Sequence, residues 1–328
     1  MAEKIYQDDP VWAPSSEIMW RQRFRHLYRN PTAFVLLLIA LEGGQPVARC
    51  MLQLVPEARD EGGNSQGWIS FFEFCDGFQE AAKSMLTYGE KILKQQNALS
   101  VLIPKSDNQL VGLLTSGFHL PHIVYTNHNP VYYFDFLKSV DYIPKTRMVS
   151  LYFTRENVKK MIRLRLPGLR TREFNRQNLE QEINIFHNLQ NKIFEGRSGY
   201  LPRTYEEDQE MVTSYLPFLE DEFIIIAETK DGSPVGLLAC IPDFYQHLDG
   251  QQINRARIMS IGAIPGYRRR GIGILMGAHL MKNLVNNHKY EYAEASWILS
   301  HNRPPRNLAK RFNARPGREF WLLEKKIT

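Results

Sequence analysis

The sequence predicts an α/β (α+β) fold built as two tandem copies of one domain. Three observations carry this expectation. The chain has 328 residues, a length that favours two domains. Both halves run through the same order of elements: helices, a strand hairpin, strand–helix–strand, a short helix and a last strand. The hairpin turns also match, Glu42-Gly43-Gly44-Gln45-Pro46-Val47 in the first half and Lys230-Asp231-Gly232-Ser233-Pro234-Val235 in the second. A repeat this long points to two domains rather than a solenoid. The domains are placed at 1–154 and 155–328.

Composition narrows the class. Hydrophobic residues make up 43% and aromatics 12%, enough for real cores and against global disorder. The formal net charge of +6 suits an acidic ligand, a phosphorylated cofactor or nucleic acid. The three cysteines, Cys50, Cys75 and Cys240, are far apart and form no C-x-x-C, so neither a disulfide framework nor structural zinc is expected. The nine histidines show no metal spacing. The first ten residues hold no apolar signal core, and the run Ala33 to Leu41 is too short to span a bilayer. A cytoplasmic protein without a membrane partner is the expectation.

The elements follow in order. Trp12, Trp20, Phe24 and Tyr28 suggest a helix over the first thirty residues that packs through its aromatics. Ala33–Leu41 and Pro46–Leu54 read as a hairpin. Trp68–Phe74 is a strand, and Gln79–Gln96 a helix with Ala82, Met85, Leu86, Gly89, Ile92 and Leu93 on one side. Leu99–Ile103 is a strand, Asp107–Ser116 a short helix or loop, and Met148–Phe153 a strand. Residues 155–177 are basic and read as a solvated linker and helix face. Helices are expected at Asn178–Phe194 and Tyr205–Leu216, the latter capped by Thr204 in an S/T-x-x-E pattern. Strands follow at Phe223–Glu228, Pro234–Ile241, Ile253–Ile264 and Tyr290–Leu299, with a helix at Pro304–Phe312 and a closing strand at Phe320–Lys325.

One stretch carries chemistry. An apolar strand ends at Ile264-Pro265-Gly266, and Arg268-Arg269-Arg270-Gly271-Ile272-Gly273 leads into a helix with apolar residues at Ile274, Leu275, Ala278 and Met281. Unpaired main-chain N–H groups at a helix start attract anions, and glycines let a large anion approach the main chain. The first copy reads Cys75-Asp76-Gly77-Phe78-Gln79-Glu80 at the same place, without arginines or Gly-x-Gly. It is not expected to bind the anion.

On these residues the chain resembles the GNAT superfamily of N-acetyltransferases, whose Q/R-x-x-G-x-G/A signature stands here as Arg268 to Gly273. The strand Tyr292–Leu299, then Asn302 and a short helix continue the match. The resemblance implies two GNAT-like domains, each a mixed, mostly antiparallel sheet flanked by helices, the first degenerate. It implies acetyl-CoA as co-substrate, held by Gly262, Ala263, Ile264, Arg268, Arg269, Arg270, Gly271, Ile272, Gly273, Ile274 and Asn302. A main-chain N–H near Ile264 would stabilise the oxyanion. The tyrosine that in many members follows the asparagine by seven residues is here Ala309, and the fourth strand offers Ile258, Met259 and Ser260 where a carboxylate often sits. Glu294 is the replacement base, and Tyr200, Asp243 and Tyr245 are the acceptor contacts. The acceptor is expected to be a small amine and nucleic acid is not favoured. The assembly is either a monomer with pseudo-twofold domains or a homodimer. The alternative activity is a CoA-binding sensor without turnover.

Overall fold

The computed structural model of the chain describes residues 1–14, 33–105, 112–156, 164–197, 200–248 and 250–327. Trp20, Phe24 and Tyr28 of the expected N-terminal helix, the basic residues Lys159, Lys160 and Arg163, and Gly199 lie outside the described residues. In chain order the elements of the first half are α1 (Ala2–Tyr6), β1 (Phe34–Glu42), β2 (Gln45–Leu54), β3 (Gln66–Phe74), α2 (Gln79–Gln95), β4 (Ser100–Ile103), β5 (Leu113–Ser116), α3 (Tyr133–Ser139) and β6 (Ile143–Thr154). There follow β7 (Leu169–Glu173), α4 (Leu179–Phe194), α5 (Tyr205–Tyr215), β8 (Ile224–Thr229), β9 (Pro234–Pro242), α6 (Tyr245–Leu248) and β10 (Arg255–Ala263). The chain ends with α7 (Ile272–Asn286), β11 (Tyr292–Leu299), α8 (Arg303–Arg311) and β12 (Arg315–Lys326).

These elements form two compact units. The first comprises Met1–Met148 with Arg318–Thr328, the second Val149–Gly317. Each unit therefore takes a strand segment from the far half of the sequence: the Arg318–Lys326 part of β12 in the first, the Val149–Thr154 part of β6 in the second.

In the first unit β1, β2 and β3 pair antiparallel, β3 and β4 parallel, and β4 and β12 antiparallel. The apolar face predicted for α2 is the one observed: Ala82, Met85, Leu86 and Leu93 are buried against Leu52, Ile69 and Phe74. Leu113–Ser116 form β5, an antiparallel partner of β12, where the sequence suggested a short helix or loop. Such a four-residue strand has no period of its own to read, and its partner lies some two hundred residues away.

In the second unit the sheet runs β6–β11–β10–β9–β8–β7. The pairs β10–β9, β9–β8 and β8–β7 are antiparallel, and β10 and β11 pair parallel. Helix α7 covers one face, burying Ile272, Met276, Leu280 and Leu284 among Ile225, Leu238, Ala256 and Ala293. Helix α4 packs on β9 and β10.

The basic stretch 155–177 needs correction as a solvated linker. Leu169–Glu173 form β7, the edge strand against β8. Arg170 and Arg172 both bond Glu228, whose side chain is buried, and Arg172 also donates to Glu182 at 2.7 Å. Their charges are matched by carboxylates on other elements, so Leu169–Glu173 is a paired edge strand rather than a linker. The capping box of α5 forms as the sequence indicates. Thr204 Oγ1 accepts from the Glu207 N–H at 3.2 Å, and Glu207 accepts from the Thr204 N–H at 3.0 Å.

Candidate functional site

The site is built where two parallel strands of the second unit part. β10 and β11 pair from Arg255–Tyr292 to Ile258–Ala295, and there the pairing ends. Both strands continue, β10 to Ala263 and β11 to Leu299. The departure coincides with a bulge. Against β9, Ile258 faces Cys240 and Ser260 faces Ala239, which leaves Met259 as the extra residue. Met259 thus has no register partner on either neighbour. A pair of parallel strands opened in this way offers main-chain groups to an extended ligand, in the manner of an added strand.

The loop beyond β10 is shaped for an anion. Arg269 and Gly271 both adopt the left-handed conformation, with φ of 62° and 82°. Alternation of this kind turns successive N–H groups into one concavity. Ile274 and Leu275 donate to the Gly271 carbonyl at 2.9 and 3.1 Å. The N–H groups of Arg269, Arg270, Gly271, Ile272 and Gly273 donate to no main-chain acceptor among the described residues. They stand at the start of the fifteen-residue helix α7, where the dipole adds partial positive charge.

The three arginines do different work. Arg268 donates to the Ile193 carbonyl at 3.0 Å and, through Nε, to the Ala263 carbonyl at 3.4 Å. It braces the loop against the end of α4. Arg269 and Arg270 are exposed, and the Arg270 guanidinium lies 5.2 Å from the Tyr267 ring centre. Gly262 is required by contact: an added Cβ would overlap Ile193 Cγ2.

Two sequence expectations change in detail. The Ile264 N–H, expected near the oxyanion, donates to the Val235 carbonyl at 3.0 Å and is engaged. The Ile274 N–H, expected at the phosphate, is likewise taken by Gly271. Asn302 stands half-buried at the N-terminus of α8, makes no side-chain capping bond, and donates its N–H to Leu299 at 2.9 Å. Ala309 is buried with Phe312 in the core.

Glu294 is fully buried on β11 and accepts from the Tyr292 hydroxyl at 2.5 Å. Its register partner is Arg257, 1% exposed. Arg257 donates to Ser296 Oγ at 2.9 Å and to the Ser296 carbonyl at 3.0 Å, and its guanidinium lies 4.4 Å from the Trp297 ring centre. Sequence reasoning passed over Arg257. The signal was a cation in the interior of β10, between Ala256 and Ile258, where an unmatched charge would be costly.

The acceptor candidates are dispersed. Tyr200 donates to Asn191 Oδ1 at 2.7 Å and packs on Phe194, and burial pushes its hydroxyl up to about 12. Asn191 also bonds the Arg203 main chain, so Tyr200 belongs to a closed loop between α4 and α5. Asp243 is fully buried and paired with Arg255 at 3.0 Å. Tyr245 is also buried. The Asp243 N–H bonds the Arg255 carbonyl, at the opposite end of β10 from Ala263. Eight residues of strand separate the two ends, about 26 Å.

This arrangement of bulge, parted parallel strands and glycine-bearing helix start defines the GNAT fold, present here as a tandem of two units. No protein-family model matches the chain. It is similar to the bacterial ceramide synthase of Caulobacter vibrioides, 21% identical over 90% of this chain and 84% of that protein. It is similar in structure to a tandem GNAT protein from the clavulanic acid biosynthesis pathway, with TM-score 0.65 and 10% identity over 99% of this chain and 92% of that one. A GCN5-related N-acetyltransferase from Sphaerobacter thermophilus gives TM-score 0.58 and 15% identity over 99% and 90%. Among the described residues no helix is long and apolar enough to cross a membrane.

Proposed function

We propose that the second unit is an acyl-CoA-dependent N-acyltransferase that forms a fatty amide on a long-chain amine. The observation that carries the reaction type is the parting of β10 and β11 at Met259, directly upstream of the Arg269–Gly273 concavity. A CoA thioester needs both features together. Its pyrophosphate requires an anion cradle, and its pantetheine amides require an open strand edge some residues away. The amine nitrogen attacks the thioester carbonyl carbon, the C–S bond breaks and the thiolate leaves. A thiol of pKa about 8.5 is a fair leaving group, so a dedicated acid at position 309 is dispensable. The amine proton passes to Glu294, with the half-buried Tyr292 hydroxyl linking that carboxylate outward.

The longer acyl chain and the long-chain amine are supported by the ceramide synthase likeness, which spans both units. A ceramide is a long-chain amino alcohol acylated on nitrogen. Acetyl transfer to a small amine is the second reading, favoured by the names of the structural relatives. Thiol release from acetyl-, octanoyl- and hexadecanoyl-CoA, each with spermidine, lysine or sphinganine, separates them. Hexadecanoyl amide of sphinganine, identified by mass spectrometry, is the expected product. Acetylation of a small amine alone would establish the second reading. CoA binding without any amide would leave a sensor.

A further inference from the structure

The surface beside the cradle carries far more positive charge than a CoA thioester requires. From Arg268 to Arg318 the sequence holds eleven Lys and Arg against two carboxylates, Glu291 and Glu294. Much of this charge lies on α8. That helix packs its apolar side inward, with Leu308 3.4 Å from where a Cβ on Gly273 would stand, and Ala309 buried. Arg303, Lys310 and Arg311 are exposed on its other side, at helical spacing. Arg269 and Arg270 from the loop and Arg315 after the helix are also exposed. None of these six has an ion pair among the described residues, whereas Arg170, Arg172, Arg176, Arg203, Arg255 and Lys289 elsewhere in the unit all do.

We infer that this face docks an acidic acyl carrier protein, which delivers the acyl group on its phosphopantetheine arm. The inference rests on the N-acyltransferase reading above. Phosphopantetheine carries the same thioester, amides and phosphate as the corresponding part of CoA, so one cleft and one cradle serve both donors. The protein-linked donor adds an acidic surface next to its phosphate, and Arg269 and Arg270 of the cradle together with the exposed side of α8, which packs on Gly273 through Leu308, offer that surface cations. Charge complementarity of this kind raises the association rate and makes it salt-dependent. A lipid surface is less well matched. Membrane-seated helices present apolar side chains beside their cations, and α8 has turned its apolar side into the core. Among the described residues of the second unit, Leu248 alone is a large exposed apolar side chain, and it is not on this face. The transfer balances as before: the amine nitrogen bonds the acyl carbon, the C–S bond breaks, the thiolate stays on the carrier and the amine proton leaves through the base.

The test uses the full chain and a purified bacterial acyl carrier protein loaded with a hexadecanoyl thioester, beside hexadecanoyl-CoA, with sphinganine as acceptor. The double variant Lys310→Glu, Arg311→Glu should lower kcat/KM for the carrier-bound donor at least tenfold and change that for hexadecanoyl-CoA less than twofold. Added salt should mimic the variant for the carrier alone. The milder Lys310→Gln, Arg311→Gln pair keeps the comparison sound if charge reversal disturbs folding. Amide formation from hexadecanoyl-CoA but not from the carrier overturns the inference and leaves the acyltransferase intact. An equal loss with both donors also overturns it, as does a patch that binds phosphatidylglycerol vesicles without competition from the carrier. Failure of both donors with every amine removes the acyltransferase reading itself.

Discussion

Replacing Gly271 with glutamate should abolish CoA binding and leave the fold in place. Gly271 is the N-cap of α7, with φ 82° and ψ 1°. A side chain in that backbone conformation costs about 1–2 kcal/mol. Space is available, since the nearest atoms to an added Cβ are Leu166 Cδ1 and Cδ2 at 3.5 and 3.6 Å. For a unit the size of Val149–Gly317, each kcal/mol lowers Tm by about 2–4 °C, so the loss is a few degrees. The charge is the larger effect. One negative charge 4 Å from another costs about 1 kcal/mol in water and about 4 kcal/mol at the effective permittivity near a protein surface. A pyrophosphate presents two, for a penalty of about 2–8 kcal/mol, or at least ~30-fold in affinity. Gly271→Ala carries the backbone strain without the charge. Calorimetric titration of CoA into both variants, with thermal unfolding of each, isolates the electrostatic part. Equal affinity in the alanine and glutamate proteins, both folded, refutes the cradle.

Further outcomes follow from the buried charges. Arg172→Ala removes the cation shared by Glu182 and Glu228, side chains 4% and 6% exposed, and should cost about 3–5 kcal/mol in chemical denaturation. Glu182 already has its pKa raised by burial, with Arg172 opposing, so the variant should also lose stability more steeply as pH rises above the ordinary carboxylate range. His122 is held neutral in the first unit. Its Nε2 lies 3.0 Å from the Thr126 carbonyl and its Nδ1 3.2 and 3.3 Å from the Ala13 carbonyl and N–H, and burial pulls its pKa down to about 3. A folded-state pKa below the unfolded one means that the unfolded chain binds the proton first. Stability is therefore complete above about pH 6.5 and falls toward pH 3, by at most about 1.4 kcal/mol per pH unit. His122→Gln should flatten that slope, and an unchanged slope would place the acid sensitivity elsewhere. Glu294→Gln should lower kcat by about 10²–10⁴ and leave the CoA dissociation constant unchanged. Full turnover in that variant would show that water alone takes the amine proton.

What could be read from the chain was what depends on neighbouring residues. The capping box at Thr204–Glu207, the amphipathic face of α2 and the glycine-bearing loop after Ile264 are each contained in one short window. The features that escaped depend on partners remote in sequence. β7 looks like linker because the carboxylate that matches Arg170 and Arg172 is Glu228, more than fifty residues on. The bulge at Met259 leaves no mark on composition, since it is a mismatch between two strands rather than a property of one. The main-chain pairing of Ile264 with Val235 follows from that same register and could not be read beforehand. The glycine-bearing loop was thus visible in Arg268–Gly273, whereas the contacts of Arg257 with Ser296 and of Tyr200 with Asn191 appear only in the fold.

The two units finish their matching strands differently. In it β3 and β4 also pair for three residues, Gln66–Ser100 to Trp68–Leu102, before β3 runs on to Phe74, as β10 runs on to Ala263. The ends of these two strands differ. The Phe74 N–H donates to the Tyr133 hydroxyl at 2.7 Å, and the Phe74 carbonyl accepts from Tyr133 and Tyr132, each at 3.0 Å. Phe72, Phe74, Tyr133 and Phe136 stack around this point and are buried. Two side chains from the start of α3 thus satisfy the main-chain groups of Phe74 within an aromatic core. At the start of α8 in the second unit the residues are Asn302 and Arg303, and Asn302 makes no side-chain capping bond. A buried polar main-chain group must find a partner. In the first unit Tyr132 and Tyr133 supply that partner. At the matching end of β10 the Ala263 carbonyl accepts from Arg268 Nε at 3.4 Å, so in the second unit a loop arginine, not a pair of tyrosines, meets the strand end.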